Sequence, residues 1–119
     1  MGGNLDTIAH IKDKSFFPNL ELWKDTIIFL ETSENKMKPE EFASVINNLS
    51  KEINNAKAII FGKPKDETFF EEYLTIVKEK ITKPVIFNMN FGHAAPNRTM
   101  PYGGTIEINP KDKLVKITK

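Results

Sequence analysis

Thr26-Ile27-Ile28-Phe29-Leu30-Glu31 is an apolar run of strand length that closes on a carboxylate. A run this short, bounded by polar residues, reads as a buried strand. Thr32-Ser33-Glu34-Asn35-Lys36 comes next as a polar loop, and Pro39 then suits the first turn of a helix, where its missing N–H has no partner to lose. Glu40 and Glu41 sit favourably at the positive end of that helix. Phe42, Val45, Ile46, Leu49 and Ile53 recur at three- and four-residue spacing, which predicts one amphipathic helix closed by Asn54-Asn55. Ser44, Asn47, Asn48, Lys51 and Glu52 take the opposite face and are expected in solvent. Ala58-Ile59-Ile60-Phe61-Gly62 is the second strand, and Lys63 to Glu67 a charged turn. Phe69, Phe70, Tyr73, Leu74, Ile76, Val77 and Ile81 mark a second helix ending before Pro84, with Glu71, Glu72, Lys78, Glu79 and Lys80 as its wet face. Pro84 to Phe87 opens a third strand.

Strand, helix, strand, helix, strand over residues 26 to 88 favours right-handed parallel crossovers. Thr105-Ile106-Glu107-Ile108 and Lys113-Leu114-Val115-Lys116-Ile117 instead alternate with period two around Asn109-Pro110-Lys111-Asp112, the pattern of a half-buried antiparallel hairpin. The expected fold class is α/β: a mixed sheet with parallel crossovers and a C-terminal antiparallel hairpin. Upstream, Asn4 is placed to cap a short helix carrying Leu5, Ile8, Ala9 and Ile11. Residues 13 to 25 are rich in turn formers but carry Phe16, Phe17, Leu20, Leu22 and Trp23. That is too much apolar surface for a solvated linker, so the segment should pack on the core or on a partner domain. Core packing is the expected role of Trp23.

Composition narrows the function classes. The 119 residues make one domain, 1–119. Lys and Arg number 17 and Asp and Glu 16, a net charge of +1 that argues against nucleic acid or another polyanion held by bulk charge. No cysteine is present, which removes disulfides, thiolate metal sites and thiol chemistry, and fits a cytoplasmic protein. No apolar run approaches the roughly 20 residues of a membrane span, so no membrane partner is expected. The first residues lack the basic and apolar regions of a signal peptide. There is no internal repeat.

Asn90-Phe91-Gly92-His93-Ala94-Ala95-Pro96-Asn97-Arg98-Thr99-Met100-Pro101-Tyr102-Gly103-Gly104 succeeds the third strand and holds one of two histidines. Gly92 permits a sharp turn just before His93, and Pro96 and Pro101 stiffen the chain beyond it. The ends of buried strands are where α/β sheets place working side chains. A lone loop histidine is nevertheless more often structural than catalytic, and the partner is what changes the reading. Taken with Glu31, the chain resembles the carboxy-terminal half of the LD-carboxypeptidase family of serine peptidases, closest to the branch of the microcin C immunity peptidases. The matching pieces are Gly2-Gly3-Asn4-Leu5, Ile28-Phe29-Leu30-Glu31, Ile59-Ile60-Phe61-Gly62-Lys63, Phe91-Gly92-His93, Pro96 and Met100-Pro101-Tyr102-Gly103. Each is short, and their order and spacing are what is specific.

The resemblance implies a swivelling β/β/α domain and a serine, glutamate and histidine triad divided between two domains. Glu31 would be the triad glutamate and His93 the triad histidine, while the serine and the oxyanion donors would lie in an N-terminal catalytic domain. The glycine-glycine-asparagine turn would flank the substrate cleft, making Asn4 a substrate contact beside its role as a plain N-cap. The chain is then expected to be an excised C-terminal domain with Met1 an added start, needing no cofactor and inactive alone. The substrate would be a small peptide: a cell-wall tetrapeptide with an L-to-D terminal bond, or a peptidyl-nucleotide antibiotic. Some immunity-type members carry a lysine four residues after the glutamate, to hold the nucleotide-like part. Here that position is Asn35, with Lys36 next to it, and the substrate stays open.

In such a triad a neutral imidazole takes the serine proton, and a carboxylate on its other N–H fixes the tautomer and steadies the imidazolium. His93 would be base then acid, and Glu31 the orienter, 62 residues away in sequence but deliverable by a sheet. Ser15, Ser33, Ser44 and Ser50 are the only serines, and none sits in a Gly-x-Ser-x-Gly elbow, so none is taken as the nucleophile. His10 and His93 lack metal-ligand spacing, and no metal site is expected. Two other readings remain: a non-catalytic substrate-recognition or interaction module in which Glu31 and His93 merely hydrogen-bond, and a domain of an inactive family member. A homodimer is left open.

Overall fold

The computed structural model describes residues 1–32, 36–89, 104–109 and 114–118. The chain runs β1 (Gly2–Asn4), α1 (Leu5–Ile11), β2 (Ile27–Glu31), α2 (Pro39–Asn48), α3 (Ser50–Asn55), β3 (Ala58–Gly62), α4 (Phe70–Lys80), β4 (Val85–Met89), β5 (Thr105–Asn109) and β6 (Leu114–Thr118). Strands β1 to β4 form a parallel sheet in sequence order, and β5 pairs with β6 antiparallel in a sheet of its own. The parallel core and the hairpin expected from the two kinds of periodicity are thus both present.

Period two sorts the strands between two apolar layers. Ile28, Leu30, Ile59 and Phe61 point to the helices and join Leu5, Ile8, Phe42, Ile46, Ile53, Tyr73 and Val77 in the main core. Phe29 and Ile60 point the other way and are packed by Ile27, Ile86, Ile106 and Ile108. The hairpin therefore lies on the second face, and the domain has three layers: helices, parallel sheet, hairpin. Along β5 the alternation of half-buried Ile106 and Ile108 with exposed Thr105, Glu107 and Asn109 results from that packing.

Three local expectations change. Gly2-Gly3-Asn4, read as a turn, is a strand paired with Phe29 to Glu31. A Cβ at Gly2 would lie 1.9 Å from the Phe29 carbonyl oxygen, and Gly3 has φ 151°, so glycine is what lets β1 come so close and leave it so steeply. The single helix expected over 39–55 is broken at Leu49, whose φ and ψ of −95° and 12° part α2 from α3 while its side chain stays buried. Glu52, expected on the wet face, is 8% exposed and pairs with Lys12 at 3.3 Å. The Lys12 ammonium also donates to the carbonyl of Asn48, the last residue of α2. The break turns Glu52 inward, where it needs that cation.

Segment 13–25 packs on the core only in part: Trp23 and Phe17 do, while Phe16, Leu20 and Leu22 stay exposed. Trp23 is buried, stacks on Phe17 at 5.7 Å between centroids and donates from Nε1 to the Pro18 carbonyl. At the start of β1 the Met1 amine donates to the Ile27 carbonyl at 3.1 Å, and burial lowers its pKa.

Candidate functional site

Asn4 and Glu31 are register partners, each the last residue of its strand. The structure thus brings two of the three sequence-predicted site residues together at the carboxyl end of the parallel sheet. This is the end at which open α/β sheets carry their sites, because side chains and loops converge there. Asn4 is extended and accepts a hydrogen bond from the Thr7 N–H at 3.2 Å, so it caps α1 as expected. Glu31 is half-buried, and by alternation it shares the face of Ile27 and Phe29. Its Oε2 is fully buried, beside the edge and not out in water. His93 lies outside the described residues, as do Ser33, Glu34 and Asn35. Strand β4, which ends at Met89 opposite Gly62, runs toward the same carboxyl end as Glu31.

The ground beyond β2 is shaped by a residue whose role the sequence did not signal. Tyr73 is 1% exposed, stacks on Phe42 at 4.3 Å, and donates its hydroxyl to the Met37 carbonyl. That bond ties α4 to the chain that leaves β2. Burial, with smaller contributions from the carboxylates of Asp6, Glu41 and Glu72, pushes its phenol up to about 12. Lys36 continues the tie by pairing with Asp66 at 2.9 Å, and this cation holds the Asp66 carboxyl below its ordinary range. Tyr73 falls on the same apolar stripe as its neighbours in α4, so periodicity alone reads it as plain core.

A cavity of about 620 Å³ opens between α1 and α2, lined among others by Asp6, His10, Met37, Glu41 and Ser44. It begins two residues beyond Asn4 and five beyond Glu31. His10 is exposed at its rim, as expected of a helix-surface residue. Among the described residues no three His, Cys, Asp or Glu side chains are grouped to hold a metal ion. Nor, among those residues, is any helix long and apolar enough to cross a membrane.

The sequence profile of the LD-carboxypeptidase C-terminal domain matches residues 1–108. The chain belongs to that family. It is 27% identical over 128 residues to the microcin C7 self-immunity protein MccF of Escherichia coli, covering 100% of this chain and 36% of that protein. It is 29% identical over 116 residues to YocD of Bacillus subtilis, named as a carboxypeptidase, covering 91% of this chain and 34% of that protein. The chain therefore spans about a third of the length of these relatives. Among solved structures, the MccF-like protein from Streptococcus pneumoniae in complex with AMP superposes with a TM-score of 0.89 at 29% identity, over 98% of this chain and 39% of that one. The sequence profile and the structural superposition thus point to the same group of proteins.

Proposed function

We propose that this chain is the C-terminal part of a serine carboxypeptidase-like enzyme and supplies Glu31 and His93 to a triad whose serine comes from an N-terminal domain. The observation that carries the reading is the pairing of Asn4 with Glu31 at the carboxyl end of the sheet, in a chain that belongs to the LD-carboxypeptidase C-terminal domain family. Strand spacing supports the rest. Strand β4 lies two strands from β2, roughly 10 Å away. His93 is four residues past Met89, and four extended residues reach up to about 14 Å. His93 is therefore within reach of Glu31 by chain length alone.

In this reading Glu31 accepts a hydrogen bond from one ring nitrogen of His93 and leaves the other free to take the serine proton. The imidazolium then returns that proton to the leaving amine. A carboxylate half-buried at the end of a strand orients a ring better than one on a mobile side chain, because its rotamer is fixed by packing. Asn4, held by its cap to α1, would line the cleft beside the pair. The substrate class is a small peptide or peptidyl-nucleotide. The AMP complex of the Streptococcus pneumoniae relative favours the nucleotide-bearing kind.

The split of the triad is testable on the 119-residue chain itself. Purified alone, it should not hydrolyse an LD-tetrapeptide or a peptidyl-adenylate analogue, because it lacks the nucleophile. Turnover that disappears in His93→Ala would mean that one of the four serines acts after all.

A further inference from the structure

Phe16, Leu20 and Leu22 are 70%, 44% and 56% exposed. A single exposed leucine is ordinary. Three large apolar side chains within seven residues are different when the backbone beneath them is fixed. Asn55 Nδ2 donates to the Leu20 carbonyl at 2.7 Å, Thr26 Oγ1 donates to the Trp23 carbonyl at 2.6 Å, and Trp23 itself is buried against Phe17. These bonds hold the backbone from Leu20 to Thr26 while the three apolar side chains face out, as a preformed docking surface requires.

The segment joins the end of α1 to the start of β2, so it sits at the amino end of the sheet, the opposite end from Glu31. Met1 is at that same end. Its amine donates to the Ile27 carbonyl at 3.1 Å, and its carbonyl accepts from the Phe29 N–H at 2.9 Å. In a longer parent, chain preceding β1 would be delivered beside Ile27, at the same end of the sheet as residues 12–26. A domain presenting a serine to Glu31 must work at the carboxyl end. The connector from it has to descend the depth of the sheet, about 16 Å for the five residues of β2, before it can enter β1.

We infer that this connector, the stretch immediately upstream of β1 in the parent protein, seats apolar side chains of its own on Phe16, Leu20 and Leu22. The inference rests on the two-domain reading above, since it needs polypeptide before Met1. The seat would fix where the connector runs, and with it the angle at which the two domains meet over Glu31.

The chain has no cysteine, so one introduced thiol reports on the patch without background. Leu22→Cys is made in the 119-residue chain and in the parent, with any upstream cysteines changed to serine, and the rate of labelling by a maleimide is measured in each. The expected result is labelling slowed about tenfold or more in the parent, the protection of a site that must open to react. Changing the connector's apolar residues to serine should restore the fast rate. Equal rates in both proteins overturn the proposal. Slow labelling in the 119-residue chain that speeds up on dilution also overturns it, because a second copy is then the occupant. Phe16→Cys, at a separate exposed position, repeats the measurement if the first variant fails to fold. Labelling does not depend on hydrolysis: an inactive parent with a protected thiol sinks the triad and keeps the seat, and an active parent with equal rates does the reverse.

Discussion

Tyr73 and Glu52 show how a single buried polar atom ties one helix to a distant part of the chain. The Tyr73 phenol is favoured in its neutral form by burial, so it ionises near 12 when folded against about 10 when unfolded. The unfolded chain loses that proton first. The stability Tyr73 contributes is therefore complete below about pH 10 and is lost as pH rises from there toward 12. Urea midpoints measured from pH 8 to 11.5 should fall in the upper part of this range, and the fall should be shallower in Tyr73→Phe. At neutral pH that variant should cost about 1 kcal/mol, because the Met37 carbonyl loses its donor. Lys12→Met leaves the Glu52 carboxylate buried without its cation, at a cost of about 2–3 kcal/mol. Lys12→Met with Glu52→Leu should recover much of that loss, and a denaturation double-mutant cycle measures it.

Elements were legible where one period ran unbroken. The β2 and β3 runs are pure apolar blocks, and α4 keeps a clean stripe, so their places could be read from residues 26 to 88. The hairpin was legible because its alternation differs in kind. The β1 strand was not, since Gly-Gly carries no side chain to show a period; its reason is the close approach to Phe29, a tertiary fact. The break at Leu49 was hidden for the opposite reason. Leu49 and Ile53 keep the helical spacing across it, and Glu52 looked solvated because its partner Lys12 is 40 residues away. Asn4 was legible as a cap, and its place beside the substrate rests on the family's motif and stays a proposal. Its pairing with Glu31 depended on the unseen strand. Gly2→Ala tests that strand: the added methyl meets backbone at Phe29, and the melting temperature should drop by about 5–10 °C, equivalent to roughly 1–2 kcal/mol. An unchanged melt would show that β1 contributes little to the fold.

At the scale of the whole molecule, three layers with two separate apolar interfaces make a domain expected to melt cooperatively on its own, and thermal denaturation tracked by circular dichroism checks this. In the reading proposed above, function belongs to a longer protein, because this chain would hold the orienting and proton-transferring side chains and not the nucleophile. The most direct measurement is steady-state kinetics of the parent enzyme carrying Glu31→Gln, His93→Ala and both, with folding verified by melting. Each single change should lower kcat by about 10³-fold or more with little change in KM, and the double variant should be hardly worse than His93→Ala, as expected of residues that act as one unit. Near-normal turnover in a folded Glu31→Gln or His93→Ala parent would contradict the account and leave that residue without a part in the chemistry.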